Sequence, residues 1–550
     1  MMPIFFHSQA HLWVFYALFL NGLLVHRILA GMSQQYRALS IQFEAQVILG
    51  FVFSLAINGL LLLALDLANL PFSLSIYILA GLTISLAGVV VWRKLYRTWD
   101  VEISLAAVAL YAVMFIILFY NGGMIDQISD AWWHMSLANK IGWANSFTLE
   151  YGHLTGAVER YYPPLWHSIL AMLRELSDQS IPIIWNAFTA WGAVLKLMAY
   201  YLMGSAIFKD RKIGLLSAVL FALLPGVGNS YLRVSAWPSH LAYILWFFAI
   251  FVSFKLIDNS RRLMSSLAHL MELAGNWVVL SILLLCLTLI YYLHQFEILL
   301  FIAFFFLFLL GLSVVRICAR FDRSSIVGAH YPLYIALYRI SLLVIIATGV
   351  IIAKQLWQAG GSLDYNLSLS LFVLIAVSLL IADICAKKLP KLSKGLLGLM
   401  LVVLFVSLDY RHFMSLFVPE LSLPSGVSGE RPLLAKGHFG GNLGLPSWHL
   451  QLRAGLLWSG FFAGVISLAM MFYRPSRAWL ILSINSAFVW ILCTSPYLYQ
   501  WFTDALNYHS VWRFAILSLH PLIIAGFIVF LWRSAKSAFF GPSPKGSVVT

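Results

Sequence analysis

Charged residues are scarce in this chain of 550 residues, since only 10% are Asp, Glu, Lys or Arg and 61% are hydrophobic. Soluble domains carry roughly 25% charged residues, so a soluble protein is excluded. The apolar residues form continuous runs of about 18 or more, the length at which a helix crosses a bilayer. Transmembrane β-strands would be shorter and would alternate in polarity. We therefore predict an all-α, polytopic helical membrane protein with about 13–15 transmembrane helices.

Cysteine is also rare, with four residues, and their spacing predicts neither a disulfide framework nor a metal site. No Walker motif, dinucleotide-binding fingerprint or zinc signature occurs in a context that would confirm it. The first residues, MMPIFFHSQAH, contain neither the charged segment nor the small-residue cleavage site of a removable signal peptide. We therefore expect the first apolar run to stay in the protein.

Negative charge is in deficit, because 21 Asp and Glu stand against 35 Lys and Arg, a net charge of +14. A basic balance can indicate nucleic-acid binding, but these basic residues gather in short loops between apolar runs, which is the pattern of cytoplasmic loops. We predict no nucleic-acid partner, although part of the excess could bind membrane lipids or a phosphate-bearing substrate. The same pattern places the N-terminus and the loop 122–180 on the outer face.

Four regions follow from the apolar runs and from the loops between them. Two of the regions contain outer loops long enough to carry a site, and a third is itself rich in Gly, Pro and Ser. The regions are 1–100 with N-terminal transmembrane helices, 101–408 with a transmembrane core and the outer loop 122–180, 409–453 as an outer loop or lid, and 454–550 with C-terminal transmembrane helices and the outer loop 495–513.

The outer loop 122–180 is a polar stretch in an apolar chain. Its segment DAWWHMSLANK has helical spacing, with Asp130 and His134 on one face and Trp133 on another. Aromatic anchors of this kind are typical of an amphipathic helix in the membrane interface. The rigid corner that begins at Tyr161 and includes Tyr162 leads into a second short amphipathic helix, LWHSILAMLREL, near whose start His167 lies.

This arrangement resembles the GT-C superfamily of polytopic membrane glycosyltransferases, in particular the bacterial and archaeal envelope members. The residues that carry the resemblance are Asp130 within SDAWWH, with Asp126 as a second candidate, and the later stretch YYPPLWH. The resemblance implies transfer of a monosaccharide from a polyprenyl-phosphate-linked donor to a glycan, lipid or protein acceptor. It also implies an active site on the periplasmic face of a bacterial inner membrane. Arabinofuranose, mannose and glucose all remain open as the sugar.

Such a transfer needs a base for the acceptor hydroxyl and a cation or donor near the leaving phosphate. We predict Asp130 as the base of an inverting reaction, with Asp126 as the alternative; Asp130 could instead be only a helix N-cap. His134 could orient Asp130 or bind phosphate, or it could be a surface histidine without a role. No cofactor is required, and a divalent metal such as Mg or Mn stays open.

Further candidates for substrate binding lie where outer loops meet spans. The resemblance assigns Arg513 to the donor phosphate, although an arginine at that depth could simply snorkel to the surface. His294 and Glu297, in a tight turn between two spans, could bind sugar, phosphate or metal, or could be polar turn residues at the headgroup level. The complete set of predicted substrate-binding residues is His134, Tyr162, His167, Arg233, His294, Glu297, His509 and Arg513.

Two other functions remain as alternatives. A lipid-linked glycan flippase or another transporter should show internal repeats and ionisable residues at mid-membrane. An O-antigen ligase-type enzyme would use arginines in a late loop. The concentration of polar residues in the outer loops favours the glycosyltransferase. Lys196, Arg27 and Arg339 lie within or beside spans, and we expect them to pair inside the helix bundle.

Overall fold

The computed structural model describes residues 2–97, 101–121, 130–147, 163–224, 235–259, 277–318, 460–494 and 512–540, with isolated positions at 232, between 339 and 396, and at 502. Within these ranges the regular structure is helical, apart from one isolated β-bridge between Gln42 and Glu102. The chain divides into two compact units. The first comprises residues 1–260 and 270–301, and the second comprises residues 261–269 and 302–550.

The first unit carries the two helices of the loop 122–180 and the spans around them. A π-helical turn, Tyr16–Leu20, joins its first two helices, and short 3-10 turns lie at Phe72–Leu74 and Leu95–Arg97. Its described helices are α1 (Met2–Phe15), α2 (Asn21–Met32), α3 (Gln34–Leu39), α4 (Phe43–Leu67), α5 (Ser75–Trp92), α6 (Leu105–Asn121), α7 (Asp130–Ala144), α8 (Leu165–Ser177), α9 (Ile181–Phe208), α10 (Arg211–Leu223), α11 (Pro238–Asn259), α12 (Trp277–Leu293) and the start of α13 (Phe296–Cys318).

The second unit contains the rest of α13 and the C-terminal helices. Its further described elements are α14 (Phe461–Tyr473), α15 (Arg477–Thr494), a 3-10 helix at Trp512–Ser518 and α16 (His520–Phe540). Arg339 Nε donates to Asp383 Oδ2 at 2.7 Å, and the Asp383 side chain is fully buried. The expected pairing of Arg339 inside the bundle is therefore observed.

Seven helices in the described ranges are long and apolar enough to cross a membrane, which confirms the all-α, polytopic membrane fold. Their mean hydropathy is high because runs of Leu, Ile, Val and Phe cover every face of the helix. They are Ser8–Met32, Phe43–Leu67, Phe72–Trp92, Ile181–Phe208, Pro238–Asp258, Phe296–Val315 and Arg513–Lys536, and three shorter apolar helices are Leu105–Phe119, Trp277–Leu293 and Arg477–Leu492.

The basic loops of the first unit gather at one end of its helices. Glu102 bridges to the residues before α4, and its carboxylate pairs with Arg211 at the start of α10. Nearby along the chain, Lys209 pairs with Asp258 at 3.1 Å. Arg27 donates to the Leu95 carbonyl oxygen at 2.5 Å, so the loop after α5 is held beside the end of α2. This clustering agrees with the assignment of these loops to one side of the membrane.

The helices of the loop 122–180 lie at the turn between α4 and α5. The backbone N–H of Phe72, in that turn, donates to Asn145 Oδ1 just after α7 at 3.1 Å. Gly59 of α4 lies against Leu165, the first residue of α8, because a Cβ at position 59 would be 2.9 Å from Leu165 Cδ1. Both loop helices are therefore packed onto spans of the first unit.

Candidate active site

The first loop helix, α7, begins at Asp130, the predicted base. The structure describes this residue through its backbone, and Asp126 lies outside the described residues. Along α7 the side chains of His134 and Ala138 are buried, whereas those of Trp132, Trp133 and Trp143 are exposed. Trp132 and Trp143 thus face away from the protein, as expected for interfacial anchors, whereas Trp133 also contacts the buried His134. His134 faces inwards, which excludes its interpretation as a surface histidine.

The second loop helix, α8, is buried more completely than an amphipathic helix with one exposed face would be. Its residues from Leu165 to Leu173 are all buried, and Glu175 is its exposed position. Arg174 Nη1 donates to Asn139 Oδ1 of α7 at 3.0 Å. Gly142 makes room for this arginine, because a Cβ there would lie 3.1 Å from Arg174 Nη2. The two loop helices therefore pack against each other.

His134 and His167 form a direct hydrogen bond between α7 and α8. His134 Nδ1 and His167 Nε2 are 2.9 Å apart, and the two rings are nearly parallel, at 29°. His134 is 6% exposed and His167 is fully buried. Burial lowers the pKa of His167 to about 3, so its ring is neutral at physiological pH. One nitrogen of the pair must then donate and the other must accept, so the tautomer of one ring depends on that of the other.

Tryptophans from two further elements surround this histidine pair. The Trp185 ring, near the start of α9, stacks on His134 with 6.2 Å between centroids and 19° between planes. The Trp237 ring, just before α11, lies 6.2 Å from His134. Trp133 itself approaches the same imidazole edge-on at 4.9 Å. The start of α7 is therefore held by aromatic contacts from α9 and from the segment before α11.

Lys196 and His240 were not among the predicted site residues. Lys196 Nζ, in the interior of α9, lies 3.1 Å from His240 Nδ1 of α11, and both side chains are buried. The centroid of the Trp237 ring lies 6.1 Å from that of His240 and 6.2 Å from that of His134. Trp237 therefore lies next to both His240 and the His134–His167 pair. A lysine inside an apolar run was the available signal, because membrane proteins retain such residues for function. Nothing in the sequence indicated that His240, 44 residues away, would be its partner.

His294 and Glu297 form a pair at the turn between α12 and α13. His294 Nδ1 and Glu297 Oε2 are 2.5 Å apart, with the Glu297 side chain fully buried. This burial excludes the interpretation of Glu297 as a turn residue exposed among headgroups. A glutamate buried at the end of two spans needs such a hydrogen-bonded partner, since an isolated buried carboxylate is costly.

The remaining predicted residues lie outside the described residues or in the second unit. Tyr162, Arg233 and His509 lie outside the described residues. Arg513 is half-buried in the 3-10 helix of the second unit. In the described part of the chain no group of three or more His, Cys, Asp or Glu side chains could hold a metal ion.

No protein-family model and no curated protein sequence matches the chain. Among solved structures it is similar to the archaeal oligosaccharyltransferase AglB from Archaeoglobus fulgidus, in complex with an inhibitory peptide and a dolichol-phosphate, with 15% identity and a TM-score of 0.44 over 80% of this chain and 52% of that chain. It is also similar to the apo form of the Archaeoglobus fulgidus oligosaccharyltransferase, with 14% identity and a TM-score of 0.42 over the same shares, 80% and 52%.

The chain spans about half the length of these solved structures, 52% in both cases.

Proposed function

We propose that the chain is a GT-C-type membrane glycosyltransferase that moves a monosaccharide from a polyprenyl-phosphate-linked donor to an envelope glycan, lipid or protein. The observation that supports this most is the buried His134–His167 hydrogen bond, one helical turn after Asp130. It ties the start of α7 to α8 and so gives the loop carboxylate a rigid support. The site would face the periplasm from a bacterial inner membrane.

The proposed chemistry is a single displacement at the anomeric carbon. The acceptor hydroxyl gives its proton to the Asp130 carboxylate as its oxygen forms a bond to that carbon. The bond between the anomeric carbon and the phosphate oxygen breaks, and its electrons leave with the polyprenyl phosphate. One carboxylate is enough for this inverting route. His134 positions Asp130 by holding the start of α7 against α8. Arg513 is proposed to contact the donor phosphate.

The test is transfer by purified protein, in nanodiscs, from polyprenyl-phosphate sugars to envelope extracts. Asp130→Asn removes the base without changing size, so transfer should fall by at least about 100-fold, the lower range for acid–base catalysis. Asp178→Asn is the matched control, because Asp178 is an exposed carboxylate at the end of α8 in a left-handed conformation that asparagine adopts readily. Full transfer by Asp130→Asn would refute the base.

A flippase for lipid-linked glycans is the second candidate, and the observation that favours it is Lys196, an ionisable residue buried in a span. Transport of a fluorescent lipid-linked sugar across proteoliposomes separates the two functions. The glycosyltransferase proposal expects the labelled lipid to stay in its leaflet while sugar is lost from it. Rapid equilibration between leaflets, unaffected by Asp130→Asn, would favour transport.

A further inference from the structure

The helix α5 (Ser75–Trp92) is the least buried of the seven membrane-crossing helices in the described ranges. Its exposed side carries Ile84, Val91 and Trp92, whose side chains are 74%, 64% and 73% exposed. Val91 and Trp92 lie seven and eight residues after Ile84, so the three follow one another along one face of the helix. On a helix of membrane-crossing length, such a face offers an apolar strip to an acyl chain.

Two cations stand at the end of this exposed face. Arg93 and Lys94 directly follow Trp92, and both side chains are exposed. The Arg93 guanidinium lies over the Trp92 ring, with 4.6 Å between its central carbon and the ring centroid. This cation–π contact places a positive charge beside an apolar ring. The end of α5 is therefore apolar on one side and cationic on the next, as the edge of a bilayer requires.

The two cations differ from the paired basic residues at the same end of the first unit. Lys209 bonds to Asp258 at 3.1 Å and so has its charge balanced. In the part of the chain that the structure describes, neither Arg93 nor Lys94 forms an ion pair. Two exposed positive charges next to each other attract an anion.

The loop that carries these cations is held in place by α2. Arg27 of α2 donates to the Leu95 carbonyl oxygen at 2.5 Å. The Leu95 side chain packs against Gly31, where a Cβ would lie 2.5 Å from Leu95 Cδ2. Lys94 has a φ of 53°, the left-handed conformation in which many helices end. The backbone that presents the two cations is thus fixed by contacts on both sides of Lys94.

We propose that Trp92, Arg93 and Lys94 bind the headgroup of an anionic phospholipid whose acyl chain lies along Ile84 and Val91. The guanidinium donates hydrogen bonds to the lipid phosphate, and the ammonium group adds a second attractive charge. A free phosphate ion would use the cations without the apolar strip, so the combination of the two favours a lipid. The site uses none of the residues of the proposed transfer reaction and does not depend on that function.

The experiment measures which lipids stay bound when the protein is purified from micelles with equal phosphatidylglycerol and phosphatidylcholine. The wild type should retain the anionic lipid preferentially. Arg93→Gln combined with Lys94→Gln should weaken that preference by about 30-fold, from the attraction of each Lys or Arg to an anionic surface. The charge-matched control is Lys212→Gln combined with Lys536→Gln, which removes two exposed cations elsewhere and should keep the preference. An unchanged preference in the first variant would overturn the proposal.

A single variant separates lipid binding from stability. Glycine adopts the left-handed conformation of position 94 more readily than lysine does. Lys94→Gly should therefore melt at or above the wild type, while its preference for phosphatidylglycerol falls about fivefold because one cation remains. A higher melting temperature with the full preference intact would assign Lys94 no part in the site and would refute its role.

Competition and particle mass test the other occupants of this face. Raising the salt from about 0.1 M to about 1 M should lower the preference, since exposed charges are then screened within about 3 Å. Millimolar inorganic phosphate should leave the lipid bound, and its release would overturn the proposal in favour of an ion site. A dimer that Ile84→Trp dissociates, in a protein without any lipid preference, would overturn it in favour of a second copy of the chain.

Discussion

Replacement of His167 by Phe removes half of the buried hydrogen bond between α7 and α8 while it keeps an aromatic ring of similar shape. His134 Nδ1 loses the acceptor or donor that lies 2.9 Å away, at a position where His134 is only 6% exposed. A buried polar group that loses its partner costs about 1–3 kcal/mol. We expect His167→Phe to lower the free energy of unfolding by that amount, and His134→Phe to do the same for the symmetric reason.

The double variant distinguishes a hydrogen bond from two independent packing contacts. When both partners become apolar rings, no buried nitrogen of this pair remains without its partner, and the change can be close to neutral. The double variant should therefore be more stable than the sum of the single effects predicts, with a coupling energy of about 1 kcal/mol or more.

The assay is thermal and denaturant unfolding of the four proteins, followed by glycosyl transfer. All three variants should also lose transfer by about 100-fold, because small displacements of a catalytic group are costly. Asp178→Asn, exposed at the end of α8, serves as the control in both assays. Single effects that simply add in the double variant would refute the reasoning, since the two histidines would then act separately.

Two further predictions concern pH and packing. Burial lowers the pKa of His167 from 6.5 to about 3, so between these values the unfolded chain binds a proton that the folded chain does not. Stability should fall by about 1.4 kcal/mol for each unit that the pH is lowered in this window, and melting of His167→Gln should lack this component. Gly192→Ala should destabilise by about 1–3 kcal/mol through its clash with the Ser235 carbonyl, whereas Gly81→Ala, with no atom within 4 Å of its Cβ, should melt at or above the wild type.

The spans and the loop helices were predictable because their signals are local. The apolar run at 45–68 is observed as the helix Phe43–Leu67, and the short helix predicted for LWHSILAMLREL is observed as Leu165–Ser177. A continuous apolar run requires a helix in the membrane regardless of its neighbours. The helix α8 follows directly on Pro163 and Pro164, which restrict the backbone before it.

The depth of the loop helices was not predictable from the same residues. Helical spacing separated His134 from Trp133, and the structure shows that His134 is buried whereas Trp133 is partly exposed. Spacing identifies which residues share a face, but whether that face meets solvent, lipid or protein depends on what other helices cover it. Trp185 and Trp237, which cover His134, come from distant parts of the chain.

The sequence by itself determined a helical membrane protein, since hydrophobic length acts residue by residue. The placement of Lys and Arg predicted basic loops on one side of the membrane and a polar, acidic loop on the other. Only the tertiary structure decided which polar side chains meet. His134 meets His167 across 33 residues and Lys196 meets His240 across 44 residues. Such contacts arise where packed helices approach each other, and the relative position of two helices follows from their shared side-chain contacts rather than from the sequence of either one.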